Sequence, residues 1–411
     1  MESIVIKVKD KIKIGFWILS EYKPQTGGGF SLYDKLIHLI DEYKFPEDIE
    51  ICFVGHNPAS DFNFKKKYIS VYSLPLNLGF IREIVTIISH KSKYIGKLES
   101  NILKRNNIDL IYYPVQGFRK VNGFPFVSAN WDIGHLSSYA FPEFASNNRF
   151  EFRNKWYSKE IFKALMVFAE SETGRSELIE YTGLNPDRIG IVPLIAGGIT
   201  EASVSENSMH DFLVQHGLIS KKFFFYPAQF WAHKNHYNLL GAFQKYVKEF
   251  PETKLVLTGS DKGNMKYISN STVKLGISSN VLFSGFISND CLFTFYKKAL
   301  ALVFPGLLGP TNMPLLEAAF LNCPVVCSDL KGHKEMMKDG ALYFDGLDPD
   351  SIYEKMKLIT DESNRNDLLD KANRVMQTSS FTADNAMKSF IENFSKLKNI
   401  RNSWGENDKI F

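Results

Sequence analysis

A loop broken by glycine and proline holds the residues of this chain that are best placed to bind a phosphate. It begins at Gly309, after the apolar run 299–305, and leads into the helix-like residues 315–321. A helix that opens at or near Pro314 is favoured, because proline is tolerated at a first helical position. The free N–H groups of such a first turn, with the positive end of the helix dipole, form an anion site.

Glu317 lies about one turn into this predicted helix. A carboxylate beside a phosphate is repelled by it, so Glu317 is better suited to accept hydrogen bonds from sugar hydroxyls. A nucleotide diphosphate with its ribose would satisfy both ends of the loop. Taken alone, however, the loop shows no more than an ordinary turn between a core strand and a core helix would show.

The residues 310–318 (Pro-Thr-Asn-Met-Pro-Leu-Leu-Glu-Ala) and 323–329 (Cys-Pro-Val-Val-Cys-Ser-Asp) closely resemble the donor-site segment of retaining GT-B glycosyltransferases of family GT4. The resemblance implies an α/β protein with two Rossmann-like domains, whose parallel sheets face a central cleft. It also implies that Glu317 binds the ribose of a nucleotide sugar.

The donor motif of that family has a first glutamate, and this chain has Gly309 at that position. The resemblance then implies that backbone N–H groups of Thr311, Asn312 and Met313 hold the transferred sugar, together with the Asn312 amide. This departure puts the identity of the sugar in doubt more than the activity.

A second part of the resemblance lies after the strand-like residues 223–227. The family has an arginine there, then four residues and a lysine; Lys234 matches the lysine, and the neutral Gln229 stands in place of the arginine. The Lys234 ammonium is suited to neutralise the diphosphate as the sugar leaves. Gly259, in the turn after strand 254–258, and the backbone of Ile287, near the nucleotide base, complete the predicted donor site.

The first half of the chain supplies candidates for the acceptor side. Gly28 and Gly29 belong to a glycine-rich turn after the first strand, and the resemblance puts this turn over the cleft near the donor phosphates and the acceptor. In the run from Phe126 to Leu136, Asp132 and His135 match a family segment with a His-Asp pair and a second histidine. His135 is a candidate to bond a donor or acceptor hydroxyl, and a structural role explains it equally well.

Short apolar strands alternate with helical stretches along both halves, as expected for parallel βαβ units. We predict an N-terminal acceptor-binding domain over 1–197, completed by a C-terminal helix at about 385–411, and a donor-binding domain over 198–384. Within the first domain, the spacing of apolar residues over 153–169 predicts one long amphipathic helix.

Composition sets limits on the class of protein. The 411 residues suffice for two domains, and 44% hydrophobic residues suit a soluble globular protein. The net charge of +4 is too weak to indicate nucleic-acid binding but is compatible with an anionic membrane surface. The four cysteines match no zinc spacing, and no apolar run is long enough to cross a bilayer. We expect a cytosolic protein, at most peripheral on the inner face of the plasma membrane.

The leading hypothesis is a retaining, metal-independent transferase that moves a hexose or deoxyhexose, with mannose or rhamnose favoured, from a nucleotide sugar to a glycan or lipid-linked glycan. Its context would be surface polysaccharide or O-antigen synthesis. No cofactor is expected beyond the donor itself. The alternative is a catalytically degenerate, nucleotide-sugar-binding subunit, which Gln229 and Gly309 would favour.

Overall fold

The computed structural model describes residues 10–19, 28–56, 63–71, 93–117, 120–121 and 123–404. Seven parallel strands form a sheet from the first half of the chain, in the order β3-β2-β1-β4-β5-β6-β7. Nearly all of their residues are buried, as expected for a parallel sheet covered on both faces. The strands are β1 Ile12–Trp17, β2 Ile49–Gly55, β3 Tyr68–Ser70, β4 Leu110–Tyr113, β5 Phe126–Asn130, β6 Met166–Ala169 and β7 Ile189–Ile191.

Six parallel strands form a second sheet, in the order β10-β9-β8-β11-β12-β13. The strands are β8 Phe223–Pro227, β9 Lys254–Thr258, β10 Val281–Gly285, β11 Ala301–Phe304, β12 Val325–Ser328 and β13 Leu342–Phe344. The strand order reverses between β8 and β11, and ligands of open α/β sheets bind beyond the carboxyl ends of the strands at such a point. The segments that follow these two strands are those that contain Lys234 and Asn312.

The α-helices that the structure describes lie mainly between the strands. In the first half they are α1 Gly28–Glu42, α2 Lys93–Arg105, α3 Gly134–Ser137, α4 Pro142–Ala145, α5 Arg149–Lys155 and α6 Glu172–Thr182. In the second half they are α7 Glu206–Gln215, α8 His236–Glu249, α9 Met265–Lys274, α10 Asn289–Lys298, α11 Met313–Phe320, α12 Lys331–Met337, α13 Pro349–Thr360, α14 Glu362–Gln377 and α15 Ala383–Asn402.

The last helix returns to the first sheet. Phe390 and Phe394 of α15 pack in the same core cluster as β1, β2 and β4, and their rings contact Tyr112 and Phe168. Asn393 donates a hydrogen bond to the carbonyl of Ile191 at the edge of that sheet, at 3.2 Å. Helix α15 therefore packs as part of the first domain.

The long helix predicted over 153–169 is wrong in its second half. The helix α5 continues as one π turn and one 3-10 turn, through Lys163, and residues Met166–Ala169 form β6, an interior strand of the first sheet. All four residues of β6 are buried, and β6 pairs with both β5 and β7. A short apolar run has no period that separates a buried strand from a buried helix, so the neighbouring strands decide.

Cys52, Cys323 and Cys327 are buried and form no disulfide, as expected for core residues. No helix within the described residues is both long enough and apolar enough to cross a membrane.

Candidate functional site

Lys234 lies at the end of the 3-10 turn Ala232–Lys234, directly after β8. Its ammonium Nζ donates to Oδ1 of Asn312 at 3.2 Å and lies 5.3 Å from the centroid of the Phe304 ring. Burial lowers the pKa of Lys234 to about 8, because few polar groups replace its lost hydration. A partly buried cation at this point of the sheet is suited to bind an anion.

His333 orients the Asn312 amide. Nδ1 of His333 lies 2.8 Å from the carbonyl oxygen of Ser328, which can only accept, so Nδ1 is the protonated nitrogen. Burial lowers the pKa of His333 to about 4, so the ring is neutral and its Nε2 is an acceptor. The Asn312 NH2 group donates to this Nε2 at 2.9 Å and to Leu308 O at 3.2 Å. The amide oxygen is thereby directed to Lys234.

The helix α11 begins at Met313, one residue before the predicted Pro314, with Pro314 in its first turn. Its N-cap residue, Asn312, makes no side-chain hydrogen bond to the first turn. Gly309 has φ +119°, and a Cβ atom there would lie 2.8 Å from Thr311 O and 2.9 Å from Asn312 Nδ2. The Asn312 amide therefore occupies space beside the position where the resembling family has its first glutamate, and the backbone there requires glycine.

Glu317 lies on α11 and is only 5% exposed. Its Oε2 accepts a hydrogen bond from the Tyr296 hydroxyl at 2.8 Å, and the backbone N–H of Gly197 also donates to the carboxyl group. Burial raises the pKa of Glu317 to about 7, although both hydrogen bonds oppose the rise. Each carboxylate oxygen has a second lone pair, so the carboxylate keeps the capacity to accept further hydrogen bonds.

Thr311 connects the loop before α11 to the first domain. Its hydroxyl donates to Oε1 of Glu170, which directly follows β6. Both side chains are buried, and burial raises the pKa of Glu170 to about 8. No motif in the sequence indicates a role for Glu170, because only the approach of the two domains brings it to the loop.

Gln229 and Gly259 lie together at the ends of β8 and β9. The Gln229 amide donates to Ser260 Oγ at 3.1 Å and accepts from the Trp231 indole at 3.0 Å. Gly259 has φ +144°, and a Cβ atom would lie 2.3 Å from the carbonyl oxygen of Ala228, so only glycine fits there. Ile287 lies farther out, after the edge strand β10, partly buried against the core of the second domain.

Gly28 and Gly29 open α1, and the preceding residues 20–27 of the glycine-rich turn lie outside the described residues. The first turns of α1 face the second domain: Leu32 packs against its core cluster, and Lys35 forms an ion pair with Glu201. The beginning of α1 therefore lies at the boundary between the two domains.

His135 is 5% exposed and packs between Phe150 and Tyr157, with ring centroids 5.5 and 5.0 Å away. Burial lowers its pKa to about 4, and neither ring nitrogen has a hydrogen-bond partner among the described residues. Asp132 has a structural position: it binds Arg153 at 2.5 Å and accepts from the backbone N–H of Gly134 at 2.9 Å.

Three consecutive lysines, at residues 65–67, form a basic cluster, and two of their amino groups bind to neighbouring residues of the protein. The amino group of Lys65 pairs with Glu42 at 3.0 Å, and that of Lys66 donates to the carbonyl of Tyr43 at 2.9 Å. In the part of the chain that the structure describes, no group of three or more His, Cys, Asp or Glu side chains is arranged to hold a metal ion.

Part of this chain matches a family of known proteins. Residues 212–376 match the family model described as "Glycosyl transferases group 1". An O-antigen chain mannosyltransferase B of Escherichia coli is 23% identical over 218 residues, 53% of this chain and 57% of that protein. An uncharacterized glycosyltransferase of Methanocaldococcus jannaschii is 34% identical over 109 residues, 26% of this chain and 27% of that protein. The matches thus span about a quarter to somewhat over half of these relatives.

Solved structures share the fold along nearly the whole chain. A sucrose-phosphate synthase from Thermosynechococcus elongatus superimposes with a TM-score of 0.71 and 15% identity, over 95% of this chain and 100% of that one. The predicted α/β architecture with two parallel sheets is therefore confirmed. The chain has the fold of GT-B glycosyltransferase structures, and its residues 212–376 are similar in sequence to glycosyl transferases of group 1.

Proposed function

We propose that this protein is a retaining glycosyltransferase that moves a hexose or a deoxyhexose from a nucleotide-diphosphate sugar to a glycan or a lipid-linked glycan. The observation that carries the proposal is the meeting of Lys234 with the N-terminus of α11 where the strand order of the second sheet reverses. A cation and the positive end of a helix dipole at such a point are suited to a diphosphate. The retaining outcome rests on the resemblance to family GT4.

The chemistry of the step is electrostatic. As the bond between the sugar and the diphosphate breaks, negative charge grows on the leaving phosphate, and Lys234 with the first turn of α11 stabilises it. These groups are positioned before the reaction, because Asn312 binds Lys234 and His333 orients Asn312. Since the Lys234 ammonium and the positive end of α11 supply the charge, we propose that no metal ion is needed.

The transferred sugar is proposed to be mannose or rhamnose. The proposed biological setting is the synthesis of a surface polysaccharide such as an O-antigen. The similarity to an O-antigen chain mannosyltransferase of E. coli supports mannose. Glu317 would accept hydrogen bonds from the ribose, and the backbone N–H groups of Thr311, Asn312 and Met313 would hold the transferred sugar.

A thermal-shift screen of GDP, UDP, dTDP and ADP, each with and without magnesium, tests the donor site. A ligand that binds only the native state stabilises it by mass action and so raises Tm. At a ligand concentration one hundred times Kd, the free energy of unfolding rises by about 2.7 kcal/mol. We expect one nucleotide to stabilise the protein equally with magnesium or with EDTA. A shift that requires magnesium would contradict metal independence.

Lys234→Ala tests catalysis once a nucleotide is known. We expect turnover of the matching nucleotide sugar to fall by roughly 10²–10³-fold, as for other groups that stabilise developing charge. Lys245→Ala is the matched control, because Lys245 lies on α8 and pairs with Asp350 at the surface. Near-normal turnover by Lys234→Ala would rule out this mechanism.

A degenerate nucleotide-sugar-binding subunit is the second candidate. One observation favours it: both ends of the neutral Gln229 amide, which stands in place of the family's arginine, are already bound by Ser260 and Trp231. This candidate predicts a nucleotide thermal shift in the wild-type protein without transfer or donor hydrolysis. Measurable transfer would exclude it.

A further inference from the structure

An open cavity of about 620 Å³ lies where the first domain meets the loop after β8. The first domain contributes Glu143, Phe144, Arg149 and Phe152 from the segment of α4 and α5, and the second domain contributes Trp231 and His233. A volume of several hundred Å³ is typical of small-molecule sites. None of the side chains predicted from the sequence as donor or acceptor groups lines this cavity.

Glu143 and His233 form a pair in the wall of this cavity. Oε1 of Glu143 accepts from the backbone N–H of His233 at 2.9 Å and lies 2.5 Å from its Nδ1. Burial lowers the pKa of His233 although its hydrogen bond to Glu143 opposes this, so the ring is neutral at pH 7. With the proton on Nδ1 and directed to the carboxylate, Nε2 is an acceptor. No other described residue hydrogen-bonds to this Nε2.

Aromatic faces give the cavity its second property. Phe152 is 69% exposed, although large apolar side chains are normally covered. The Phe144 ring stacks on the His233 ring, with 5.6 Å between centroids. The Trp231 ring is nearly parallel to the His233 ring, with 6.5 Å between centroids. Arg149 adds an exposed cation at the rim.

This combination suits a sugar ring. A pyranose has a face of C–H groups that stacks on aromatic rings, and an edge of hydroxyls that need hydrogen-bond partners. The free Nε2 of His233 can accept from a hydroxyl, and the amides of Asn147 and Asn148 also line the cavity. A purely apolar ligand would leave these polar groups without partners, which is costly when they are desolvated.

The position of the cavity indicates whether it binds the donor or the acceptor. His233 directly precedes Lys234, whose ammonium points to Asn312 and the proposed diphosphate site. The cavity lies on the side of this loop that faces α4 and α5. A ligand there lies next to the donor site without occupying it, as the second substrate of a transfer must.

We propose that this cavity binds a pyranose ring of the saccharide acceptor, stacked against Phe152 and hydrogen-bonded through a hydroxyl to Nε2 of His233, which Glu143 holds in place. The inference rests on the proposed function, because it gives the acceptor site of that transferase. Glu143 acts as a positioning residue, and His233 as a contact to the acceptor.

Saturation-transfer NMR with α-linked mannotriose and α-linked rhamnotriose tests this site in the full-length protein, with GDP or dTDP present. We expect one trisaccharide to bind, and Phe152→Ala and His233→Gln each to weaken it roughly fivefold to tenfold, since a stacking or hydrogen-bond contact is lost. Phe162→Ala is the matched control: this residue is also exposed, at 40%, and lies in the 3-10 turn beyond the cavity.

The outcomes separate this inference from the proposed function. A normal nucleotide shift with no trisaccharide bound, or with binding unchanged in both cavity variants, would overturn the acceptor site and leave the transferase proposal standing. Trisaccharide binding that depends on Phe152 without any nucleotide shift would keep the saccharide site and overturn the proposed function. Melting curves of each variant verify folding, and the exposed Phe152 is a position where substitution leaves the core intact.

Discussion

Lys234 combines a positive charge with partial burial, which makes its charge dependent on pH. Burial disfavours the charged form and lowers its pKa to about 8, well below an ordinary lysine. A bound diphosphate favours the charged form and would raise this pKa again. The residue is therefore charged at neutral pH, but close to the limit at which it loses its proton.

The affinity for the nucleoside diphosphate should therefore fall as the pH rises through about 8. The free protein loses the Lys234 proton above this pH, so binding must then recover it, at a cost of up to about 1.36 kcal/mol per pH unit. Calorimetric Kd values measured from about pH 6.5 to about pH 9.5 test the effect.

Lys234→Met is the control for this pH profile. Glu170 and Glu317 also have raised pKa values, and their ionisation adds negative charge that weakens nucleotide binding in the same direction. The difference between the wild type and Lys234→Met isolates the lysine. Parallel profiles of the two proteins would show that Lys234 does not control the dependence.

At the scale of elements, helix α12 of the second domain determines how the loop before α11 is arranged. His333 lies on α12 and is fully buried, and its ring connects the carbonyl of Ser328 on β12 with the Asn312 amide before α11. Every polar atom of that amide has a partner: His333, Leu308 and Lys234. The orientation of Lys234 thus depends on α12 through Asn312.

His333→Phe should weaken nucleotide binding by roughly threefold to tenfold, because it leaves one Asn312 N–H without an acceptor, a loss of about 1–3 kcal/mol that falls partly on stability. Isothermal calorimetry and thermal melts measure the two effects. His216→Phe is the control, since His216 bonds only its own helix through Phe212 O. If His333→Phe lowers Tm but leaves Kd unchanged, His333 supports the fold and not the site.

At the scale of the whole molecule, hydrogen bonds across the domain boundary surround the candidate site. Glu335 on α12 accepts from the backbone N–H groups of Glu172 and Thr173 at the start of α6, each at 2.8 Å, and from the Thr173 hydroxyl at 2.6 Å. A carboxylate at a helix N-terminus is favourable, and here the helix belongs to the other domain.

Glu335→Ala should increase hydrogen exchange at the amides of Glu172 and Thr173 by about tenfold or more, because these groups lose their acceptor and the boundary opens more often. Exchange measured by mass spectrometry on the peptide that contains the start of α6 reports this change. Glu354→Ala, an exposed residue on α13, is the control. Unchanged exchange at α6 would mean that other contacts hold this boundary closed.

The predictions from sequence were most accurate where local residue types alone favour one kind of element. The strand at 223–227 was predicted with the bounds of β8, and the helix after the Gly-Pro loop begins within one residue of Pro314. It was wrong at Met166–Ala169, where four apolar residues do not distinguish strand from helix. Lys234, Asn312 and Glu317 were named from a motif, and their roles stay predictions.

The sequence by itself determined the alternation of strands and helices and the positions of the Gly-Pro loop and of Lys234, because propensity, turn residues and local spacing act over a few residues. Only the tertiary structure decided that Asn312 contacts Lys234, that His333 orients Asn312, and that Glu143 pairs with His233 across 90 residues. Such contacts depend on how sheets and domains pack. No local pattern encodes that packing, because the free energy that selects it is summed over the whole buried core.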